Sequence, residues 1–305
     1  MATEQSAWAA WSREIAEGIA AAAAAVVSVQ GRHRGGCCGF LWDERTVVTS
    51  AHAVSSDATV RVIGEDGAAT AAQLIGRDPG TDIAVLRLEQ PGTAAPRSGT
   101  VELAAGHWTV AVSRLTSGRI AATAGLISEV GPEWKTWRGG TIDRMIRLDG
   151  TVPPWFCGAP LLDSGGVLGL CTTALTRGRA ALVPLSTIDR VARQLNEKGH
   201  VSRAYVGVAL QGIELSARMA KQLALDSPRG ALVVSVQDDA PAERAGLLVG
   251  DVVVALGGKP VHDAGDVRDV LSDTSPGDTV VASLVRAGER REIAVVAAER
   301  PGRGC

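Results

Sequence analysis

The sequence predicts a mostly β protein, in which a barrel-type or sandwich-type body is followed by a second unit. Many short β-branched runs are separated by turns, no long helix lies between them, and 13 prolines and 36 glycines punctuate the chain. Short strands at this density are typical of barrels and sandwiches. The 305 residues are enough for two domains of ordinary size.

The N-terminal segment, residues 1–24, predicts a helix, most clearly over residues 5–24. Its alanine-rich composition favours helix. Apolar side chains recur at spacings of three and four and form one stripe, made of Trp8, Trp11, Ile15 and Ile19. Two uses of the stripe fit this pattern: packing of the helix on its own domain, or self-association through the tryptophans.

From residue 25 to residue 198 the pattern predicts a β-rich domain that ends in a helix. The runs that predict strands lie at 26–29, 46–49, 59–63, 83–88, 108–112, 144–148 and 167–171. Residues 186–198 predict the helix, with Ser186 as its N-cap and Gly199 as its C-terminal cap. With a boundary at 197–203, the second unit covers 203–300, and a tail at 301–305 is expected to be disordered.

Charge, apolar runs and cysteine content argue against several classes of protein. A net charge of -2 without a basic stripe gives no reason to expect nucleic-acid binding. Residues 19–27 are apolar but too few for a membrane span, which needs about 20 residues. Acidic and basic residues interrupt the region where a secretion signal would need an apolar core, so we expect a cytoplasmic location. Five cysteines without metal-binding spacing predict reduced thiols, no metal site and no cofactor.

Three motifs place potential catalytic residues in one chain order. An apolar strand ends in Thr-x-x-His at His52, a turn places Asp82 directly before the run 83–88, and the loop 154–161 contains Cys157. The order histidine, aspartate, nucleophile is that of chymotrypsin-type peptidases. A thiol nucleophile needs a base within hydrogen-bond reach. His52 is therefore the candidate base, Asp82 the group that fixes its tautomer, and Cys157 the candidate nucleophile.

These motifs resemble those of the HtrA/Deg branch of trypsin-like peptidases, and the resemblance covers nearly all of residues 20–300. Where the family has P-G-N-S-G-G-P-L, residues 154–161 read Pro-Trp-Phe-Cys-Gly-Ala-Pro-Leu. The resemblance implies a trypsin-like double six-stranded β-barrel followed by a PDZ domain, a β-sandwich with two helices. It also implies a homotrimer, with Trp8 and Trp11 as candidate contacts.

The loop 154–161 departs from the family pattern at the positions that would form the oxyanion hole. The resemblance implies an oxyanion hole made by the backbone N–H groups of Trp155 and Cys157. The family has glycine at position 155, and tryptophan reaches the backbone angles of glycine only at a cost. Losing one oxyanion donor lowers the rate by roughly 10²–10³. Ala159 replaces a second glycine, and the rings of Trp155 and Phe156 are large enough to fill a substrate cleft.

The second unit resembles a PDZ domain of the HtrA type. Tyr205, Val206, Gly207 and Val208 match the carboxylate-binding loop of that family, and residues 240–261 match its long S-P-A-x-x-A-G-L-x-x-G-D motif. PDZ domains add a peptide strand to a sheet edge and hold its terminal carboxylate with backbone N–H groups. The resemblance therefore implies peptide C-termini or unfolded proteins as partners.

Three functions fit these motifs. The leading hypothesis is an HtrA-like pseudoprotease, which binds peptides or unfolded chains and cleaves them poorly or not at all. The second is an active endopeptidase that uses Cys157, His52 and Asp82 as its triad. The third is a PDZ scaffold whose function is assembly.

Overall fold

The computed structural model describes residues 7–31, 36–55, 59–98, 102–150, 152–176 and 178–299. The chain divides into two compact units between Val201 and Ser202. The segment predicted as a disordered tail, 301–305, lies outside the described residues. Within the described ranges, no helix is both long and apolar enough to cross a membrane.

Six antiparallel strands close into the first barrel. They are β1 (Val26–Gln30), β2 (Cys37–Leu41), β3 (Thr46–Ser50), β4 (Thr59–Ile63), β5 (Ala69–Asp78) and β6 (Ile83–Leu88). Around the barrel the order is β1-β2-β3-β6-β5-β4. Strand β3 pairs with β6 so that Ser50 lies opposite Ile83. This register brings the chain just after β3 beside the chain just before β6.

The second barrel contains six of the next eight strands. The strands are β7 (Trp108–Arg114), β8 (Ile120–Val130), β9 (Trp134–Lys135), β10 (Thr141–Ile142), β11 (Ile146–Leu148), β12 (Pro160–Asp163), β13 (Gly166–Thr172) and β14 (Ala181–Pro184). The closed order is β11-β14-β13-β12-β7-β8, while β9 and β10 form a separate hairpin. A 3₁₀ turn, Pro154–Phe156, precedes β12.

Two helices pack on the barrels. Helix α1 (Ala7–Ala23) contacts β7, β12 and β13, whereas α2 (Leu185–Lys198) contacts β5 and β6 of the first barrel and β13 and β14 of the second. Helix α2 ends at Gly199, which has φ 76° and donates its N–H to the Leu195 carbonyl. Its N-cap is Pro184, not the predicted Ser186, because the helix begins at Leu185, directly after β14, and this N-cap makes no side-chain hydrogen bond.

Arg114 joins α1 and both barrels. Its guanidinium is buried and donates to the carbonyls of Val26, Gly118 and Ala23 at 2.6, 2.7 and 2.6 Å. Charge-assisted hydrogen bonds of this length are stronger than neutral ones. Arg114 therefore fixes the end of α1 and the start of β1 against β7.

The second unit is a sheet with short helices. Its elements are β15 (Ala204–Tyr205), β16 (Val208–Glu214), α3 (Ala217–Gln222), β17 (Arg229–Val236), α4 (Pro241–Arg244), β18 (Val252–Leu256), β19 (Lys259–Pro260), α5 (Ala264–Ser272), β20 (Thr279–Arg286), β21 (Glu289–Val296) and β22 (Ala298–Glu299). The main order is β16-β17-β18-β20-β21, with β19 on β18 and β15 paired to β22. Strand β16 is thus an edge strand.

The predicted fold class is confirmed: the chain is mostly β, with two closed six-stranded barrels and then a PDZ-like sheet. Two details differ. Over its described residues, 202–299, the second unit has three helices instead of two, and α3 is supported by an N-cap, Ser216, which accepts from the Met219 N–H at 3.2 Å. The longest strands of the first unit, β5 and β8, lie where the sequence pattern predicted none.

Candidate active site

His52 and Asp82 meet because of the register between β3 and β6. His52 lies two residues after β3, and Asp82 directly precedes β6. Both carboxylate oxygens of Asp82 lie 2.9 Å from Nδ1 of His52, and the His52 backbone N–H donates to the same carboxylate at 2.9 Å. The side chain of Asp82 therefore fixes the imidazole from the Nδ1 side, and Nε2 lies on the opposite side of the ring.

Asp82 is held in place by a residue that the sequence did not single out. Thr172, at the end of β13, donates its hydroxyl to Oδ2 of Asp82 at 2.5 Å. Asp82 is almost fully buried and has φ 58°, an uncommon backbone angle for a residue with a side chain. The only sequence signal for Thr172 is a polar residue at the end of an apolar run.

The turn before Asp82 is also tied down. Asp78 accepts from the backbone N–H groups of Gly80 and Thr81 and from the Thr81 hydroxyl. From the β9–β10 hairpin, Thr136 donates its hydroxyl to the Gly80 carbonyl at 2.7 Å. The Asp82 carboxylate and the turn before it are thus supported from two places, the β9–β10 hairpin through Thr136 and the second barrel through Thr172.

The environment of His52 favours its protonated form. Hydrogen bonds to Asp82 and then to the Cys157 side chain raise the pKa of His52 from 6.5 to about 10, against the opposing effect of burial. The three residues predicted as a triad, His52, Asp82 and Cys157, are therefore in contact, and the imidazole of His52 favours its protonated form at neutral pH.

This pKa shift predicts a pH dependence of stability. Because the folded pKa of about 10 lies above the unfolded value of 6.5, the stabilisation from His52 is complete below pH 6.5 and is lost as the pH rises through 10. Urea unfolding, followed by tryptophan fluorescence at several pH values, should give a free energy of unfolding that falls across this window. The fall should be smaller in His52→Gln. An equal fall in both proteins would contradict the prediction.

Cys157 follows the 3₁₀ turn and is 4% exposed. Its Sγ lies 3.6 Å from the hydroxyl of Thr173, a second residue not predicted from the sequence. The loop is anchored on both sides, because the Cys38 N–H donates to the Cys157 carbonyl and the Gly158 N–H donates to the Cys171 carbonyl, both at 2.9 Å. The position of the thiol is thus set by both barrels.

The two predicted oxyanion donors are not arranged for one acceptor. The N–H of Cys157 donates to the Pro154 carbonyl at 3.1 Å and closes the 3₁₀ turn. Among the described residues, the N–H of Trp155 has no acceptor, and Trp155 is not one of those with positive φ. The N–H of Cys157 is therefore already used inside the loop.

The two large side chains of this loop have different environments. Phe156 is buried in the hydrophobic core of the first unit and does not fill a cleft. Trp155 is 44% exposed, and its carbonyl accepts from the Ser113 hydroxyl at 3.0 Å. Of these two side chains, only the indole of Trp155 is exposed to solvent.

In the second unit, the predicted carboxylate loop connects β15 to the edge strand β16. The carbonyls of Val206 and Gly207 accept from Ala242 and Gln237, whereas their own N–H groups donate to no other described residue. Gly207 has φ 82°, and a Cβ there would lie 2.2 Å from Cβ of Ala240. The loop therefore presents unused donors at the start of an open sheet edge, as carboxylate capture requires.

A double β-barrel with a His–Asp pair and a thiol in contact, joined to a PDZ-like sheet, defines a trypsin-like peptidase domain followed by a PDZ domain. Two family models match accordingly: "Trypsin-like peptidase domain" over residues 37–170 and "PDZ domain" over residues 204–296. The chain belongs to the HtrA-type, DegP-like family of these proteins.

Two curated relatives and one solved structure illustrate this membership. The "Probable periplasmic serine endoprotease DegP-like" proteins of Ectopseudomonas mendocina and Brucella suis are 32% and 34% identical over 265 and 269 residues, covering 85% and 84% of this chain. The match covers 55% and 50% of the relatives' own sequences, so this chain spans about half the length of these relatives. The structure "HtrA-type protease AlgW with tripeptide" is 26% identical, with a TM-score of 0.68 and coverage of 94% of this chain and 97% of that one.

The prediction of a cytoplasmic location is wrong, because these relatives are named periplasmic proteins. The prediction rested on the lack of a secretion signal within the printed residues. A cleaved export signal is removed from the mature protein, so the composition of the first 25 residues of a sequence does not report the compartment.

Proposed function

We propose that this chain is an HtrA-like protein of the periplasm that binds peptides or unfolded chains and cleaves them poorly or not at all. The observation that carries this proposal is the hydrogen bond from the Cys157 N–H to the Pro154 carbonyl. A tetrahedral intermediate needs that N–H for its oxyanion, and each such donor is worth roughly 10²–10³ in rate.

The alternative, an active cysteine endopeptidase, is favoured by the hydrogen bond between His52 and Cys157. In that case the thiolate would attack the scissile carbonyl, and the His52 imidazolium would give its proton to the leaving amine. Asp82 and Thr172 would hold the ring throughout. This mechanism requires the 3₁₀ turn to open, so that Cys157 and Trp155 can both donate to the oxyanion.

Degradation of casein under reducing conditions tests the two functions. The native chain and Cys157→Ala would be compared at equal concentration, with fragments followed by mass spectrometry. We expect no difference beyond background. Fragments produced only by the native chain would establish the cysteine peptidase and overturn the proposal.

For the second unit, we propose that a peptide C-terminus adds a strand to β16 and places its carboxylate on Val206, Gly207 and Val208. Helix α5 lies beside β16 and forms the other wall of the groove. The free N–H groups of Val206 and Gly207 and the edge position of β16 support this assignment. Tyr205, which hydrogen bonds to Gln237, flanks the loop.

Gly207→Ala should weaken peptide binding at least roughly tenfold, about 1.4 kcal/mol. An alanine there is strained at φ 82° and clashes with Ala240. Fluorescence anisotropy with a degenerate pool of labelled peptides would measure the effect, and the same pool with amidated C-termini should bind as weakly to the native chain. Gly288→Ala is the matched control, because Gly288 has φ 83° and a Cβ added there would have no neighbouring atom within 4 Å. Equal affinity in both variants would contradict the carboxylate assignment, and no binding to the native chain would favour the scaffold function.

We propose a homotrimer whose contacts include the tryptophans of α1. Rings of Trp8 and Trp11 lie 5.2 Å apart and those of Trp11 and Trp108 lie 5.3 Å apart, while Trp8 and Trp108 are 72% and 53% exposed. A cluster of exposed aromatic rings is typical of an interaction surface. Light scattering should give three times the chain mass for the native protein and a lower mass for the double variant Trp8→Ala, Trp11→Ala. A monomeric native protein at micromolar concentration would exclude the trimer.

A further inference from the structure

Three further cysteines lie around Cys157, the candidate nucleophile. Cys37, Cys38, Cys157 and Cys171 are all free thiols and all buried. Cys38 and Cys171 belong to the hydrophobic core of the first unit, whereas Cys37 and Cys157 do not. Thiols in a core act as small hydrophobic side chains. Cys37 and Cys157 are therefore the two cysteines of this group that are candidates for a reaction.

The backbones that carry these two thiols are hydrogen bonded. The Cys38 N–H, which belongs to the peptide unit after Cys37, donates to the Cys157 carbonyl at 2.9 Å. Standard peptide geometry then places the Cα atoms of Cys37 and Cys157 about 5–6 Å apart. Disulfides span Cα separations of about 4.4–6.8 Å. No large backbone movement is needed to join the two residues.

The direction of the side chains agrees with this pairing. Successive side chains of a strand point to opposite faces, and Sγ of Cys38 lies against the Val112 carbonyl of the second barrel at 3.6 Å. The Cys37 side chain therefore points away from that contact. Burial, then the neighbouring Cys157 and Cys38 and finally Asp82, raise the pKa of Cys37 to about 12. Cys157 and Asp82 are therefore both close enough to the Cys37 thiol to influence it electrostatically.

We propose that Cys157 and Cys37 are a redox-active thiol pair, which a hydroperoxide converts into a disulfide that removes the free Cys157 thiol. Cys171 is the rival partner, since its carbonyl accepts from Gly158. It lies inside β13, which is paired on both sides, and its side chain is part of the core. Cys37 is the first residue of β2, at the end of the ladder that β2 forms with β1.

The reaction balances in two steps. The Cys157 thiolate attacks one oxygen of hydrogen peroxide, the O–O bond breaks, and the departing hydroxide takes a proton from the His52 imidazolium to leave as water. The product is a sulfenic acid. The sulfur of Cys37 then attacks the sulfur of Cys157, the S–O bond breaks, and the second hydroxide leaves as water with the proton of Cys37. Two thiols are oxidised to one disulfide, and one peroxide is reduced to two waters.

The test is oxidation of the reduced full chain with hydrogen peroxide, followed by thiol counting and peptide mapping. Cleavage before aspartate separates Cys157, in residues 149–162, from Cys171, in residues 163–188, and from the peptide 1–42 that contains Cys37 and Cys38. We expect the native chain to lose two of its five thiols and to link peptide 149–162 to peptide 1–42. Dithiothreitol should restore both thiols.

Single variants identify the partner. Cys37→Ala should lose one thiol and leave a sulfenic acid on Cys157 that dimedone traps, whereas its neighbour variant Cys38→Ala should still form the disulfide. Cys37→Ser is a second substitution at the same position and should behave like Cys37→Ala. Thermal melting under reducing conditions checks that each protein folds. A disulfide that survives in Cys37→Ala, a link to peptide 163–188, or five intact thiols after oxidation would each overturn the proposal. Thiol oxidation needs neither peptide binding nor cleavage, so the outcome does not depend on the proposed function.

Discussion

Replacing Trp155 with glycine should increase peptide-bond cleavage by roughly 10²-fold, because one recovered oxyanion donor is worth roughly 10²–10³ in rate. The 3₁₀ turn Pro154–Phe156 keeps the Cys157 N–H on the Pro154 carbonyl. Glycine populates positive φ as readily as negative φ. It would allow the peptide unit between Pro154 and residue 155 to rotate, which opens the turn and releases the donor.

The measurement is the initial rate of casein cleavage by the native chain and by Trp155→Gly under reducing conditions. Trp155→Ala is the matched control, because it removes the indole and keeps the backbone restriction. A rise in Trp155→Gly alone would assign the block to the backbone, whereas an equal rise in both would assign it to the exposed indole. Adding Cys157→Ala to Trp155→Gly should abolish any gain. If neither single variant gains activity, the closed turn is not what limits cleavage.

Replacing Gly158 with alanine should destabilise the first unit by more than about 3 kcal/mol. Gly158 has φ 83°, where a side chain costs about 1–2 kcal/mol. A Cβ there would lie 2.1 Å from the Cys38 carbonyl oxygen and 2.9 Å from the Ser50 backbone nitrogen. Both neighbours are backbone atoms of paired strands, so no side-chain rotation relieves the clash.

Urea unfolding followed by tryptophan fluorescence measures this effect on the first unit alone, because all seven tryptophans precede Val201. Gly139→Ala is the control: Gly139 has φ 77° but open space around it, in the turn between β9 and β10. It should lose only about 1–2 kcal/mol. Equal losses in the two variants would show that the loop at Gly158 yields to a methyl group, and that the junction between the barrels is less tightly packed than the distances indicate.

Strand prediction succeeded where β-branched residues were dense and failed where they were sparse. The runs that became β3, β4 and β6 are rich in valine, isoleucine and threonine. Strands β5 and β8 are built largely of alanine, glycine and polar residues, which have low strand propensity. They form because barrel closure gives them a partner on each side, which no local pattern records.

The sequence by itself determined the fold class, the family and the positions of His52, Asp82 and Cys157, because these follow from short motifs in a fixed chain order. Tertiary structure decided the rest of the site. Thr172 reaches Asp82 from 90 residues away, and Phe156 is buried in the core instead of in a cleft. The N–H of Cys157 is taken up by a local turn whose closure no residue pattern specified. Contacts of this kind depend on how two barrels pack against each other, and that packing is a property of the whole chain.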